Sequence, residues 1–183
     1  LEADKKNTKE KKLGIIGQAD FGENVLNRCN AFEMDLFYHS RTAKTKLEEK
    51  YRITRLGFED ILSTCDYVSL HVPLSPETEQ MISSRELAMM RKDSFLINMS
   101  RGPTVDLDAL HSALVAGQIA GAAIDVTDPE PIPINHPIVN NENIVITPHI
   151  GSASKATFTA MGVAAANNIV AALQNKPIPS RVN

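Results

Sequence analysis

Short apolar runs alternating with helix-length patterns are the feature that most limits what this chain can fold into. Residues 13–16, 35–38, 67–70, 95–98, 122–126 and 144–146 are too short for buried helices and fit strands, with a further short strand at 53–56. Helical patterns fall between them at Val25, Leu26 and Cys29, at residues 45–51, 58–63 and 84–90, and at Ala109, Leu110, Ala113 and Leu114. Asp106 is placed to cap the last of these and Gly117 to end it. Strand, helix and strand in succession demand right-handed crossovers and a parallel sheet, so the pattern predicts an α/β chain, doubly wound, with helices on both faces. A proline-rich loop, residues 128–137, joins the last two strands, and a final helix at 154–175 carries an apolar ladder of Phe158, Met161, Ala165, Ile169 and Leu173 before Pro177 stops it.

Composition narrows the class further. With 183 residues, 43% of them hydrophobic and 22% charged, the chain can bury one substantial core, and two full domains would be cramped. A net charge of -3 supplies no electrostatic reason for a nucleic-acid partner. Lys5, Lys6, Lys9, Lys11 and Lys12 are interleaved with Glu2, Asp4 and Glu10, so residues 1–11 read as a solvated, poorly ordered lead. Cys29 and Cys65 are too few for a disulfide framework and read as core thiols of a reducing compartment. The longest apolar run, residues 161–173, is broken by Asn167 and Asn168, and the start lacks the apolar region of a signal peptide. The expectation is a soluble, cytoplasmic protein with no membrane partner, and no Cys/His cluster has the spacing of a metal site. A first residue of Leu rather than Met suggests a fragment or a processed product.

Gly17-Gln18-Ala19-Asp20-Phe21-Gly22 follows the first strand and opens a helix, matching G-x-G-x-x-G at its outer glycines. In that setting the helix N-terminus can receive a pyrophosphate. The second glycine of the pattern lets backbone approach the ligand closely, and the methyl group of Ala19 would hold the ligand off or force a local shift. After the second strand, where an acidic residue would bind the adenosine ribose of NAD, the chain has His39-Ser40-Arg41-Thr42. Arg41 with the Ser40 and Thr42 hydroxyls suits a 2′-phosphate through charge-assisted hydrogen bonds, so NADP(H) is the expected cofactor, with NAD(H) the alternative.

Three polar residues stand in loops after strands: Arg101 in Asn98-Met99-Ser100-Arg101-Gly102, Glu130 after Asp128-Pro129, and His149 in Thr147-Pro148-His149-Ile150-Gly151. Ligands of open α/β sheets bind beyond the carboxyl ends of strands, which predicts that the three converge. These motifs, with residues 66–78, Ala122-Ala123-Ile124-Asp125-Val126, Glu130-Pro131 and Ser152, resemble in order and spacing the D-isomer-specific 2-hydroxyacid dehydrogenases. The resemblance runs from about Leu13 to the end, and Ser40-Arg41 makes the chain look most like the glyoxylate and hydroxypyruvate reductase branch.

That resemblance implies a Rossmann-type cofactor domain and hydride transfer between a nicotinamide and C2 of a small 2-keto acid. By the same resemblance Arg101 would bind the substrate carboxylate and carbonyl, His149 would protonate the carbonyl oxygen, and Glu130 would hold the imidazole. Asp125 would bind the nicotinamide carboxamide, His71, Val72 and Pro73 would line the adenosine side, Met99 and Ser100 would lie beside the nicotinamide, and Gly151 would complete the cofactor set. The residue types suit the chemistry, since alkoxide charge developing on the carbonyl oxygen calls for a cation and a proton donor that works near neutral pH. His39, His111 and His136 lack a motif and read as structural, as do Met89 and Met90.

In the family the resemblance points to, a second, substrate lobe is built largely from sequence upstream of the glycine turn, and only about a dozen residues precede Leu13 here. The expectation is therefore a chain with the substrate lobe largely missing: a lead at 1–11, a cofactor domain at 12–152, and a C-terminal helix and tail at 153–183 that would return toward the missing lobe. Two functional classes follow. One is the cofactor portion of an NAD(P)H-dependent 2-keto acid reductase, nearly inactive alone and paired as a homodimer through this domain; the other is a non-catalytic dinucleotide-binding or partner-binding module of the same ancestry.

Overall fold

A computed structural model of the chain describes residues 8–17 and 20–181, with only the backbone described for Asp20 and Phe21. In chain order the elements are β1 (Lys12–Ile16), α1 (Asp20–Asn30), β2 (Asp35–His39), α2 (Thr45–Tyr51), β3 (Thr54–Arg55), α3 (Phe58–Thr64) and β4 (Tyr67–Leu70). They continue with α4 (Ser84–Met89), β5 (Phe95–Asn98), α5 (Leu107–Val115), β6 (Gly121–Ile124), β7 (Ile144–Ile146) and α6 (Lys155–Leu173). Two 3-10 turns, Gly102–Thr104 and Pro137–Asn140, follow β5 and precede β7. The seven strands form one sheet in the order β3-β2-β1-β4-β5-β6-β7, and every pairing is parallel. The order reverses between β1 and β4, where an open α/β sheet forms its ligand crevice.

β1 shows why the sheet must be covered twice. Leu13 and Ile15 pack in a core with Leu26, Leu36, Tyr38 and Tyr51, whereas Ile16 packs in a second core with Ile61, Leu70 and Leu96. Alternate residues thus face the core shared with α1 and α2 on one side and the core shared with α3, α4 and α5 on the other, and that is why the strand is apolar from Leu13 to Ile16. Gly14 leaves room for α3, since a Cβ there would press on the Ile61 and Cys65 side chains.

Local chemistry sets the element ends. Asp106 accepts a hydrogen bond from the Ala109 N–H at 3.0 Å and another from the Ser83 hydroxyl at 3.0 Å, tying the starts of α5 and α4 together. Gly117 closes α5 at φ 63°. β6 stops at Ile124, two residues earlier than its apolar run suggests. Asp125, Val126 and Thr127 stay buried beyond the ladder, so burial outlasts strand pairing here.

On one face of β5 to β7, Ile97 and Ala123 are only partly buried and Val145 is exposed. Tyr67, Phe95, Ile97, Ala123 and Val145 line an apolar trough of about 400 Å³, with Tyr67 and Phe95 stacked at 5.5 Å between ring centroids. Val145 is 63% exposed there.

The chain divides into two compact units, Leu1–Pro148 and His149–Asn183. In the second, the Ser154 hydroxyl accepts from the Thr157 N–H at 3.1 Å and starts α6. The predicted ladder lies open, with Phe158 at 61% and Leu173 at 80% exposure. Among the described residues α6 is the one helix long and apolar enough, by length and composition, to cross a bilayer, with 19 residues and a mean hydropathy of 1.4. Asn167 and Asn168 interrupt its apolar run but do not pull the average below that mark.

Candidate active site

The strand register builds the site. Ile16 pairs with Leu70, Leu70 with Asn98, Asn98 with Ile124, and Ile124 with Ile146, so five strands end in one row. The residues one step on, Gly17, His71, Met99, Asp125 and Thr147, therefore occupy a single edge of the sheet. Backbone bonds bind the row: His71 N–H to the Ile16 carbonyl at 2.8 Å, Met99 to Leu70 at 3.3 Å, Asp125 to Asn98 at 3.1 Å and Thr147 to Ile124 at 3.0 Å.

Gly17 sits at the switch point with φ 82°, a conformation that favours glycine. A Cβ there would lie 2.6 Å from a Val72 methyl and 2.8 Å from the His71 carbonyl, which fills the space behind the turn. Its N–H donates to the His39 carbonyl at 3.0 Å, joining the turn to the end of β2. Gly22 is buried in α1. Gln18 and Ala19, and with them the close approach that Ala19 bears on, lie outside the described residues, as do the side chains of Asp20 and Phe21.

Beyond β2, Ser40 is partly buried, and Arg41 and Thr42 are exposed. The Ser40 hydroxyl donates to the Thr42 carbonyl at 2.6 Å, folding the loop on itself. Across the crevice, the Ser75 hydroxyl, the backbone and, more weakly, the charge of Arg41 hold the Glu77 carboxyl below its usual range. Arg41 is thus within electrostatic reach of the loop after β4. His71 on that loop is buried, its Nε2 paired with the Ser69 hydroxyl at 2.9 Å and its Nδ1 without a hydrogen-bond partner. Burial lowers the His71 pKa from its ordinary value, so the ring is neutral at pH 7. Val72 is partly buried and Pro73 exposed.

Arg101 projects from a rigid base. Its carbonyl accepts from the Thr104 hydroxyl at 2.6 Å, the Asn98 amide at 3.1 Å and the Thr104 N–H at 3.2 Å. Asn98 Oδ1 in turn accepts from the Ser100 N–H at 3.0 Å and the Ser100 hydroxyl at 2.7 Å. Asn98, Ser100 and Thr104 are all buried, so this network holds the loop while the Arg101 side chain stays exposed, its Nη1 on the Ser100 carbonyl at 2.7 Å. Met99 is exposed beside it.

Gly102 brings two strand-end loops together. A Cβ at that position would run into the Thr127 carbonyl, and the Asp128 backbone nitrogen would be 2.8 Å away. The Arg101 loop therefore lies directly against the segment that leads to Glu130, which is itself exposed. Asp125 is buried and accepts a hydrogen bond from the Thr147 hydroxyl, linking the ends of β6 and β7. His149 and Gly151 belong to the second unit, where both are exposed. His149 adopts φ 55°, an uncommon backbone conformation for a residue with a side chain.

The remaining histidines are structural where the structure partners them. His39 Nδ1 pairs with the Leu56 carbonyl at 3.1 Å, and His136 Nδ1 accepts from the Ile138 N–H at 3.3 Å while its Nε2 meets Asp108 at 3.3 Å. Sequence reasoning missed Asn98, Thr104 and Thr147 as supports of the site. Asn98 and Thr147 signal themselves only as polar residues at the close of an apolar strand and Thr104 only as a polar residue in the turn that follows, and neither signal distinguishes a buried partner from a solvated one. Among the described residues no group of His, Cys, Asp and Glu could hold a metal ion.

The family model for the D-isomer specific 2-hydroxyacid dehydrogenase, NAD binding domain, matches residues 2–151. The chain belongs to that family. The match supports a nicotinamide dinucleotide as the ligand of this dehydrogenase domain. Relatives include a glyoxylate reductase of Aeropyrum pernix, 41% identical over 94% of this chain and 52% of its own length. A human glyoxylate reductase/hydroxypyruvate reductase is 35% identical over 93% of this chain and 52% of its own length. A crystal structure of a Thermus thermophilus protein superposes with a TM-score of 0.91 at 40% identity, covering 97% of this chain and 55% of that one. The 2-hydroxyacid dehydrogenase chain thus spans about half the length of the curated relatives it matches.

Proposed function

We propose that the complete protein reduces a small 2-keto acid of the glyoxylate or hydroxypyruvate type to its D-2-hydroxy acid, and that this chain is its cofactor-binding portion. The observation that carries this reading is the packing of the Arg101 loop against the Thr127–Asp128 backbone, at the edge where the strand ends align. The crevice fits a dinucleotide. Gly17, held at φ 82° where a Cβ would collide with Val72 and His71, makes a side-chain-free turn at the switch point and before the N-terminus of α1, where a pyrophosphate is favoured.

Gly17, Gln18, Ala19, Asp20, Phe21 and Gly22 would cradle the pyrophosphate, with His71, Val72 and Pro73 along the adenosine side. Ser40, Arg41 and Thr42 would take a 2′-phosphate, so NADPH would bind more tightly than NADH. Met99, Ser100, Asp125 and Gly151 would border the nicotinamide, which supplies a hydride when bound. Arg101 would grip the substrate carboxylate by paired hydrogen bonds and polarise the carbonyl. His149 would deliver the proton to the carbonyl oxygen, and Glu130 would hold the imidazole. The proposed assembly is a cytoplasmic homodimer paired through the domain at residues 12–152, with 153–183 leading toward a substrate lobe.

The test is NADPH oxidation by the natural full-length product with glyoxylate and with hydroxypyruvate, beside His149→Ala. Turnover that collapses in the variant is expected. Turnover no higher than that of the variant would overturn the enzyme reading, and nucleotide binding in that case would mark a non-catalytic module of the same ancestry. A separate fluorescence titration with NADPH and NADH checks the cofactor preference, which tighter or equal NADH binding would refute.

A further inference from the structure

Arg55 lies on β3, at the outer edge of the sheet beside the end of β2. Its Nη2 donates to the carbonyl of Ser40 at 2.9 Å and to that of Arg41 at 3.1 Å. Other bonds secure both ends of the loop. The Leu56 N–H donates to the Tyr38 carbonyl at 3.0 Å, and the Tyr38 hydroxyl accepts from the Lys44 N–H at 2.8 Å while donating to Glu48 at 2.5 Å. The middle of the loop, where Ser40 and Arg41 stand, is tied to the sheet by Arg55.

A trans peptide unit is planar, so its N–H points away from its carbonyl. With the Ser40 and Arg41 carbonyls drawn to Arg55, the next N–H groups, those of Arg41 and Thr42, face the opposite way. Neither has a hydrogen-bond partner among the described residues. Two successive N–H groups beside a guanidinium are suited to an anion. Arg55 also offsets the partial negative charge of the two carbonyls, which would otherwise repel that anion.

We propose that Arg55 is a specificity-determining positioning residue, which shapes the Ser40–Thr42 loop for the 2′-phosphate of NADPH by gripping two of its carbonyls. The proposal rests on the NADPH preference put forward above. The planar fork of arginine suits a bridge between two acceptors, and the compact ammonium of lysine restores the charge without that geometry.

The experiment titrates the full chain and its Arg55→Met and Arg55→Lys variants with NADPH and NADH, following nicotinamide fluorescence. Loss of hydrogen bonds from a charged group predicts about a tenfold rise in the NADPH Kd for Arg55→Met, with NADH held within about twofold and Arg55→Lys in between. Arg55 is exposed, so the variants should keep the wild-type melting temperature, which guards against misfolding. Equal losses for both nucleotides, or none, would overturn the role of Arg55 while a wild-type preference for NADPH stood. A wild type that binds NADH as tightly as NADPH would overturn the preference itself, and the role of Arg55 with it.

Discussion

Thr104→Val tests whether the buried network beneath Arg101 holds the loop. Thr104 is fully buried, and valine matches its shape, so the substitution opens no cavity and changes only polar contacts. Three contacts disappear: the hydroxyl's donation to the Arg101 carbonyl at 2.6 Å, the Asn98 amide's donation to it at 3.2 Å, and its pairing with the Ser100 hydroxyl at 3.0 Å. Each former partner keeps at least one other bond. The Arg101 carbonyl retains the Asn98 amide and the Thr104 N–H, and the Ser100 hydroxyl retains Asn98 Oδ1. No buried group is orphaned, so the cost stays near that of one or two net hydrogen bonds, about 1–2 kcal/mol. For a chain of this length that corresponds to a fall in Tm of roughly 3–7 °C, measured by calorimetry. Pairing the change with Ser100→Ala in a double-mutant cycle should return a coupling of about 0.5 kcal/mol or more, because the two hydroxyls share Asn98. A Tm within about 1 °C of wild type would show that the network is not cooperative and that the Arg101 loop is held by Gly102 packing alone.

Two further outcomes follow from buried titratable groups. Burial, and behind it the charge of Asp66, pushes the Cys65 thiol up to about 12, so at pH 8 it should react with an aromatic disulfide reagent about a thousandfold more slowly than an ordinary thiol until the chain is unfolded; rapid labelling of Cys65 under native conditions, read by mass spectrometry, would refute this. Burial holds the folded His71 below its ordinary value of 6.5, so below that pH the unfolded chain binds a proton the folded chain does not. Its contribution to stability is therefore full above pH 6.5 and declines as pH falls toward the folded value. Urea unfolding at several pH values should show a shallower acid decline in His71→Gln than in wild type, and superimposable profiles would contradict it.

Local physics made much of the fold legible. Asp106 and Gly117 bound α5 as expected because capping and left-handed backbone are properties of a few adjacent residues. The apolar run from Leu13 to Ile16 announced a strand buried on both faces, and Gly17 announced the turn after it. Glycine turn, Arg101 loop and Asp125 segment could each be read as strand-end features, since each follows its own apolar run. The alternation of strand and helix was enough to require a parallel sheet.

The tertiary structure decided which of these features meet. Strand register aligned Gly17, His71, Met99, Asp125 and Thr147 along one edge, and register depends on pairings between distant residues. Gly102 reads in the sequence as a loop glycine, and only the approach of the Thr127 carbonyl makes a side chain there impossible. Arg55 reads as a charge on a short edge strand, and only the Ser40 and Arg41 carbonyls beside it reveal a task. Burial of the Asn98–Ser100–Thr104 network and exposure of the α6 ladder were equally invisible, because a polar or apolar pattern does not say what covers it. The sequence by itself determined the elements and the chemical types at their ends, through interactions spanning a few residues; the tertiary structure decided the partners, because contacts between distant segments depend on how the whole chain packs.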